Sequence, residues 1–280
     1  MGENIKNLID GIYENKKESI SDSEPHFVKE VNVIDYISAS LGALALGTLN
    51  NVEKENEVLA KDFPATDMWL SSHLTNIVNT ALSIKDLCLN GFDTQARALV
   101  RTLDERIYQA LILFSSAEDY RGWKNADSSK QAYYEIFSKK KSLLNKITRL
   151  ENKYLTLSES NHVYLRSLRE ESDEYYSDCI HGAHVSVIAG ALAYPFGNIE
   201  EGPFISALFG RASSCSFQTL NHMIGQLAYF SHMLNVILID MHSIEKSNNE
   251  YVSIYCSSQT KVLDLAKKLL LHDDDFNSSE

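Results

Sequence analysis

The chain has 280 residues, of which 44% are hydrophobic, and its formal net charge is -12. This length and apolar content allow a substantial core and exclude a wholly disordered chain. Only 4 prolines and 12 glycines occur, which disfavours turn-rich β-sandwiches and barrels and favours a few long elements. We therefore expect an all-α protein, an antiparallel helical bundle.

The N-terminal part is predicted to form two helices, over about 1–19 and 27–61, separated by a polar break at 19–25 that ends in Pro25. Within the second of these helices, small residues recur at a spacing of four, namely Ala39, Ala43 and Gly47. Small side chains at this spacing allow another helix to approach closely, in core packing or at a dimer face. We expect residues 1–65 to form an N-terminal helical extension of the bundle.

The next two helices are predicted to form an antiparallel hairpin. The first runs over about 68–89 and ends at Asn90-Gly91, because glycine readily adopts the left-handed conformation that follows a helix. Asp93 or Thr94 is expected to cap the second helix, which continues to about residue 117. Apolar residues recur on one face of this helix at a period of 3.6, namely Ala96, Leu99, Val100, Leu103, Ile107, Ala110, Leu111 and Phe114.

The rest of the bundle is predicted to extend to residue 272, followed by a disordered acidic tail at 273–280. A polar connection is expected at 115–129, helices are expected over about 130–155, 158–180, 213–246 and 251–271, and an irregular region is expected around 182–212. The run 212–239 carries no charged residue. It does contain serine, asparagine, glutamine and histidine residues, which are costly in lipid, so a buried core helix is favoured over a membrane span.

Arg97, Arg101 and Glu105 are spaced four apart on the second helix of the hairpin. At 3.6 residues per turn they form a stripe beside the apolar face. An arginine row of this kind could bind phosphate bidentately, with Glu105 orienting Arg101. The alternative is a ladder of ion pairs that only decorates the helix.

A second polar set lies at the end of the helix predicted over 158–180. Glu170, Glu174, Ser177 and His181 share one face there. A histidine beside carboxylates can act as an acid or base near neutral pH. A solvated face is the alternative, and His181 with His184 would be only two ligands of a metal site, so we expect no metal and no cofactor.

A third candidate is the basic cluster around Lys140 and Lys141, within 139–153. It could track a phosphate backbone, although a solvated helix face is the alternative. The remaining histidines in apolar helices are interpreted as hydrogen-bonded core or interface residues, namely His73, His222, His232 and His242.

Two pieces of the sequence resemble bacterial HEPN-like helical proteins. In Leu82–Phe114, LSIKDLCLNGFDTQARALVRTLDERIYQALILF, a helix and a glycine turn precede a helix of the form A..L.R...E. Tyr175–Gly182, YYSDCIHG, resembles the downstream Y..S...HG of such proteins. The resemblance covers about residues 82–182 and leaves out the N-terminal helices.

The resemblance implies a four-to-five-helix bundle, often dimeric, of the kind frequent in phage-defence and toxin–antitoxin systems. Many active HEPN proteins are metal-independent ribonucleases whose motif is an arginine followed by a histidine four to six residues later. No such pair occurs in this chain, so Arg101 and His181 would have to converge from different helices. Arg101 and Arg97 would then contact phosphate, Ser177 would donate a hydrogen bond and His181 would move a proton.

We therefore expect a HEPN-like homodimer that cleaves or binds RNA in bacterial defence or stress response. The alternative is a non-catalytic helical subunit that binds a protein partner of a defence or toxin–antitoxin complex. A helical metalloenzyme ranks last, because Asp178–His181 has no second matching pair. The absence of a signal-peptide pattern in residues 1–17 and of any CxxC pair among the four cysteines indicates a cytoplasmic protein with no membrane association.

Overall fold

The computed structural model describes residues 2–52, 68–126, 128, 131, 140–156, 158–181, 192–193, 196, 205–206, 210–211 and 213–271. Its helices are α1 (Gly2–Val52), α2 (Met68–Leu89), α3 (Asp93–Ser115), α4 (Ala117–Lys124), α5 (Lys140–Tyr154), α6 (Glu159–His181), α7 (Ser216–His242) and α8 (Glu250–Leu270). A 3-10 turn, Ile244–Lys246, follows α7. A short antiparallel ladder pairs β1 (Leu192–Ala193) with β2 (Ile205–Ser206). The predicted all-α helical bundle is confirmed.

The core lies where α1, α2, α3, α7 and α8 pack against one another. Apolar residues at helical spacing form one continuous buried cluster, because each helix turns an apolar stripe inward. Its largest fully buried side chains include Phe27, Ile37, Leu70, Phe114, Phe230 and Tyr255. The helices α5 and α6 pack against the outside of α3 and leave a polar cleft at their junction.

The predicted break at 19–25 is wrong, because α1 continues through it as a single helix with Pro25 inside. A proline removes one backbone hydrogen bond from a helix interior. The surrounding packing outweighs that loss: Ser19 and Ser23 are buried, and the Ser19 hydroxyl donates to the Leu89 carbonyl at the end of α2. The adjacent Phe27 is fully buried.

The second half of α1 shares the main core with α2, α7 and α8. Its small residues permit this close packing, since a Cβ atom added at Gly47 would lie 2.8 Å from Cγ2 of Val252 in α8. Ala43 is buried as well, whereas Ala39 is exposed. The small-residue spacing therefore serves, in part, the contact between α1 and α8.

The α2–α3 hairpin is confirmed, and Gly91 has the expected left-handed backbone, with φ of 76°. The predicted cap is wrong, since the residue before α3 is Phe92 and no side chain caps the helix there. The Asp93 carboxylate instead pairs with Arg97 at 2.7 Å and accepts a hydrogen bond from Thr219 of α7 at 2.9 Å. Asp93 thus ties α3 to α7.

The predicted polar connection at 115–129 contains the short helix α4. Ser116 caps this helix by accepting a hydrogen bond from the Asp119 backbone N–H at 3.1 Å. Buried Tyr120 anchors it. Of the helix predicted over 130–155, the structure describes residue 131 and residues 140–155, and the predicted acidic tail lies outside the described residues.

Two helical stretches, Ile5–Leu49 and Ser216–Met241, are long and apolar enough to cross a membrane by length and composition. In the most apolar 18-residue window of each, 61% and 56% are buried inside the protein. Such burial is typical of the core helices of a globular protein. The uncharged run 212–239 therefore supplies a core helix, with Leu227, Phe230 and Leu234 fully buried.

Candidate functional site

The helices α3 and α6 run antiparallel and carry the polar residues singled out from the sequence. At one end the Arg169 guanidinium lies 5.7 Å from the centre of the Tyr108 ring. At the other end Arg97 lies 5.1 Å from the centre of the Tyr175 ring. Arg101, which lies between Arg97 and Tyr108 on α3, donates from Nη1 to Oγ of Ser177 at 2.5 Å. Arg101 and Ser177, 76 residues apart, are thus brought together.

We call the opening at this junction the Arg101 cleft. It lies between α3, α5 and α6 and has a volume of about 140 Å³. Charged and aromatic side chains line most of it, with two leucines from α5 on one wall. Its residues are Arg101, Asp104, Glu105, Tyr108, Gln109, Leu143, Leu144, Arg169, Glu170, Ser172, Asp173 and Tyr176. A cleft with convergent polar groups is the usual form of a small-ligand site.

Arg101 stands at the rim of this cleft. Its Nε lies 3.4 Å from Oε1 of Glu105, which is the more exposed of the two side chains. This i,i+4 pair is partly exposed and therefore weak. The orienting role of Glu105 stays a prediction. Arg97 does not line the cleft: it is buried at the start of α3 in the pair with Asp93.

A partly buried acid–histidine pair joins α3 to α7. A hydrogen bond of 3.0 Å joins Oδ2 of Asp104 to Nε2 of His222 in α7. The His222 ring packs against Tyr176, with centroids 4.8 Å apart. Burial raises the pKa of the Asp104 carboxyl, and the hydrogen bond from His222 opposes that rise only in part. His222 is thus hydrogen-bonded, as predicted, but its partner was not foreseen.

The second oxygen of Asp104, Oδ1, is buried without a hydrogen-bond partner among the described residues. Buried acceptors in folded proteins are nearly always paired, so an unpaired one calls for an explanation. Asp104 also lines the Arg101 cleft. Oδ1 itself is covered by the protein, so it is not open to the cleft.

An ionic network joins α5, α6 and α7 at this junction. Both terminal nitrogens of Arg169 donate to the Glu151 carboxylate, and the Tyr229 hydroxyl donates to Oε1 of Glu151 at 2.7 Å. Glu151 is only 1% exposed. Sequence reasoning placed Glu151 among surface lysines and missed this role, since only its position at a buried turn of α5 could have revealed it.

Residues 67–184 match the model of DUF5677, a family of unknown function. The matched segment contains α2 to α6, and therefore all three helices that line the Arg101 cleft. It covers less than half of the chain and excludes α7, which supplies His222 and Tyr229. No curated protein and no solved structure matches this chain.

The DUF5677 segment also contains the predicted acid/base residue His181, the last residue of α6. It follows Ser177 by one helical turn, on the same face of the helix. The side chains of His181, Lys140 and Lys141, and the whole of His184, lie outside the described residues. Their predicted roles stay predictions.

The basic face of α5 is partly neutralised where it is described. Lys146 pairs with Asp119 of α4 at 2.6 Å, and Lys153 pairs with Asp240 of α7 at 2.9 Å. Arg149 is exposed. Across the described ranges no group of three or more His, Cys, Asp or Glu residues is arranged to hold a metal ion.

Proposed function

We propose that this protein is a HEPN-like helical protein of bacterial defence or stress response that binds RNA at the Arg101 cleft and cleaves it without a metal ion. One observation carries the proposal: Arg101, which lines the cleft, is hydrogen-bonded to Ser177, and the two residues come from the two sequence pieces of the HEPN resemblance. The proposed protein is a cytoplasmic homodimer.

The chemistry follows from the residues at the rim. The Arg101 guanidinium can bind two phosphate oxygens at once, with Ser177 donating to a third. His181, one turn along the same face, removes the proton of a ribose 2′-hydroxyl; the freed oxygen attacks phosphorus, and the same proton is returned to the departing 5′-oxygen. In the proposed site Glu105, whose Oε1 lies 3.4 Å from Nε of Arg101, orients the guanidinium.

The charges at the cleft limit how RNA is held. Carboxylates from Asp104, Glu105, Glu170 and Asp173 outnumber the two arginines that line it. A long phosphate backbone is therefore repelled, and contact is restricted to about one or two phosphates at Arg101. RNA affinity should depend only weakly on salt, with a slope of log affinity against log salt of about -0.7 to -1.4.

The test is cleavage of total RNA in the presence of a chelator. The wild type should cleave, Arg101→Ala and His181→Ala should lose about 100-fold or more in rate, and Ser177→Ala should lose less. The matched control is Asp264→Asn, which alters an exposed acid of α8 that does not line the cleft. Cleavage at equal rates by wild type and Arg101→Ala, or by neither, refutes the catalytic proposal.

A second candidate is a non-catalytic subunit that binds a protein partner. The observation that favours it is a row of exposed apolar side chains along the first turns of α1, Ile5, Ile9 and Tyr13, which are 56%, 46% and 63% exposed. Such a row is typical of a helix face that packs on another chain. Light scattering tests self-association. If the protein is a strict monomer and does not cleave RNA, the apolar row is the contact surface for a different protein.

A further inference from the structure

The outward face of α1 carries exposed apolar and small side chains near its C-terminal end. Ala39 is exposed, and Leu46 and Leu49 are 49% and 47% exposed. A Cβ atom built at Gly42 would meet nothing within 4 Å, so the space outside it is open. The four positions are spaced three, four and three apart, which places them on one face of the helix. We call these four residues the outer stripe of α1.

Two helices border the outer stripe. On the α2 side, the Ser71 hydroxyl donates to the Ala45 carbonyl at 2.9 Å. On the α8 side, the hydroxyl oxygens of Ser40 and Ser258 are 2.5 Å apart. Ile254, which is exposed, adds apolar surface on α8. The outer stripe is therefore flanked by α2 and α8 and lies open to solvent, and an exposed apolar surface of this kind marks an interaction site.

The charge pattern around the outer stripe disfavours nucleic acid and a membrane surface as the occupant. Residues 36–52 carry no charged side chain, so the stripe offers no cation to a phosphate group. Helices that lie on membranes carry lysine or arginine on their polar faces, whereas the first charged residues in the sequence on either side of 36–52 are the acids Asp35 and Glu53. An uncharged apolar surface fits a second uncharged apolar surface.

The order of small and large residues along the outer stripe indicates that this second surface is the same stripe of another copy. Two small residues, Ala39 and Gly42, precede two large ones, Leu46 and Leu49, and the pairs 42 with 46 and 39 with 49 are both centred on residue 44. If two such helices run antiparallel about a twofold axis at the level of residue 44, each leucine lies opposite a small residue. A parallel pairing would instead place leucine against leucine and leave a gap at each small residue, so the antiparallel pairing packs better.

We propose that two copies of the chain associate through the outer stripe with their α1 helices antiparallel. Leu46 of each copy packs on Gly42 of the partner subunit, and Leu49 packs on Ala39 of the partner subunit. The contact is isologous, because both chains use the same surface. The inference rests on the proposed function only for the homodimer, whose contact surface it names.

The outer stripe and the Arg101 cleft lie on different helices. The main packing partners of α1 are α2, α7 and α8, whereas α3, α5 and α6 line the cleft. Each cleft is therefore complete within one chain and stays open in this dimer. RNA cleavage per chain should not depend on association through the outer stripe.

Analytical ultracentrifugation of the full chain, which measures the dissociation constant of the dimer, tests the surface. Leu46→Lys should raise this constant by about 100-fold or more, because the new charge would be buried without a partner in the contact. The matched control is Ile9→Lys, which alters a 46% exposed isoleucine of the same helix outside the stripe and should leave the constant unchanged. Circular dichroism checks that both variants retain the helical content of the wild type.

An exchange of residue sizes tests the antiparallel register. Gly42→Leu places leucine opposite leucine and Leu46→Ala leaves a gap, so each should raise the dissociation constant about tenfold or more. The double variant, Gly42→Leu with Leu46→Ala, reverses large and small in both copies at once. It should bring the constant back to within about threefold of the wild type, because each leucine again lies opposite a small residue.

The outcomes separate this inference from the RNA function. A wild type that stays monomeric at about 100 μM, a dimer that Leu46→Lys leaves intact, or a monomer that binds phosphatidylcholine vesicles through the stripe overturns the proposal. Failure of the double variant to restore the dimer overturns the antiparallel pairing. A wild type that dimerises through the stripe and does not cleave RNA supports this inference and refutes the RNA function.

Discussion

Glu151 offers the sharpest test of how α5, α6 and α7 are held together. Its carboxylate accepts both terminal nitrogens of Arg169 and the hydroxyl of Tyr229, one donor set from each neighbouring helix. Its side chain is 2% exposed and that of Arg169 is 9% exposed. Neither charge can be hydrated in place, so removing one partner leaves the other buried and uncompensated.

Glu151→Gln keeps the shape of the side chain and removes its charge. Breaking a buried pair in this way costs about 3–5 kcal/mol of unfolding free energy. For a chain of this size the loss corresponds to a fall in melting temperature of roughly 10 °C. Replacing both charges, in Glu151→Met with Arg169→Met, should bring stability back to within about 1 kcal/mol of the wild type, because the desolvation cost disappears with the pair.

Urea unfolding followed by circular dichroism measures both variants. Glu174→Gln, which removes an exposed charge from α6, should change stability by less than about 0.5 kcal/mol. The reasoning is refuted if Glu151→Gln costs less than about 1 kcal/mol, or if the double replacement is as damaging as the single one. In the first case the pair is solvated, and in the second the shape of the network matters more than its charge.

Three further predictions concern the glycine turn before α3, the pKa of His73 and the salt dependence of RNA binding. Gly91→Ala should lower the free energy of unfolding, measured in urea, by about 2 kcal/mol or more, because φ is 76° and the new Cβ would lie 2.2 Å from the backbone nitrogen of Arg211. Gly42→Ala, whose new Cβ would have nothing within 4 Å, should raise it by up to about 1 kcal/mol. Burial, with a smaller contribution from Arg106, lowers the pKa of His73 from 6.5 to about 4. As the pH falls, the unfolded chain is therefore protonated at this histidine before the folded protein is, and the free energy of unfolding should fall by about 2 kcal/mol between pH 7.5 and 5. Trp123 packs beside the His73 ring, and Trp69 packs against Trp123, so tryptophan fluorescence reports this unfolding. His73→Gln should flatten the pH dependence of stability. The affinity of any RNA complex, measured from 50 to 200 mM salt, should change by only a few-fold.

The α2–α3 hairpin could be predicted because its signals are local. Asn90-Gly91 marks the turn, and the apolar period of 3.6 fixes which face of α3 is buried. The predicted break in α1 fails because local polarity is a poor guide where polar side chains find buried partners. Ser19 and Ser23 are small enough to be covered, and neighbouring packing holds Pro25 within the helix.

The candidate site could be predicted only in part, for a geometric reason. Helical periodicity places Arg101 and Ser177 each on a face of its own helix, but it does not determine which helix that face meets. The family resemblance suggested that Arg101 and His181 converge, with Ser177 as a supporting donor, but the direct bond between Arg101 and Ser177 was not predicted. The pairing of Asp104 with His222, across 118 residues, had no comparable signal, because α7 lies outside the resembling segment.

Glu151 of α5 and Asp104 of α3 are both hydrogen-bonded to side chains of α7, but they contribute unequally to stability. Glu151 accepts from both terminal nitrogens of Arg169 and from the Tyr229 hydroxyl. Asp104 is less buried, with 14% of its side chain exposed against 2% for Glu151, and among the described residues its hydrogen bond is the one from His222 to Oδ2. Losing several charge-assisted bonds from a deeply buried acid costs more than losing one bond from a partly exposed acid. Substitutions at Glu151 should therefore reduce stability more than substitutions at Asp104, and should affect RNA binding only through stability.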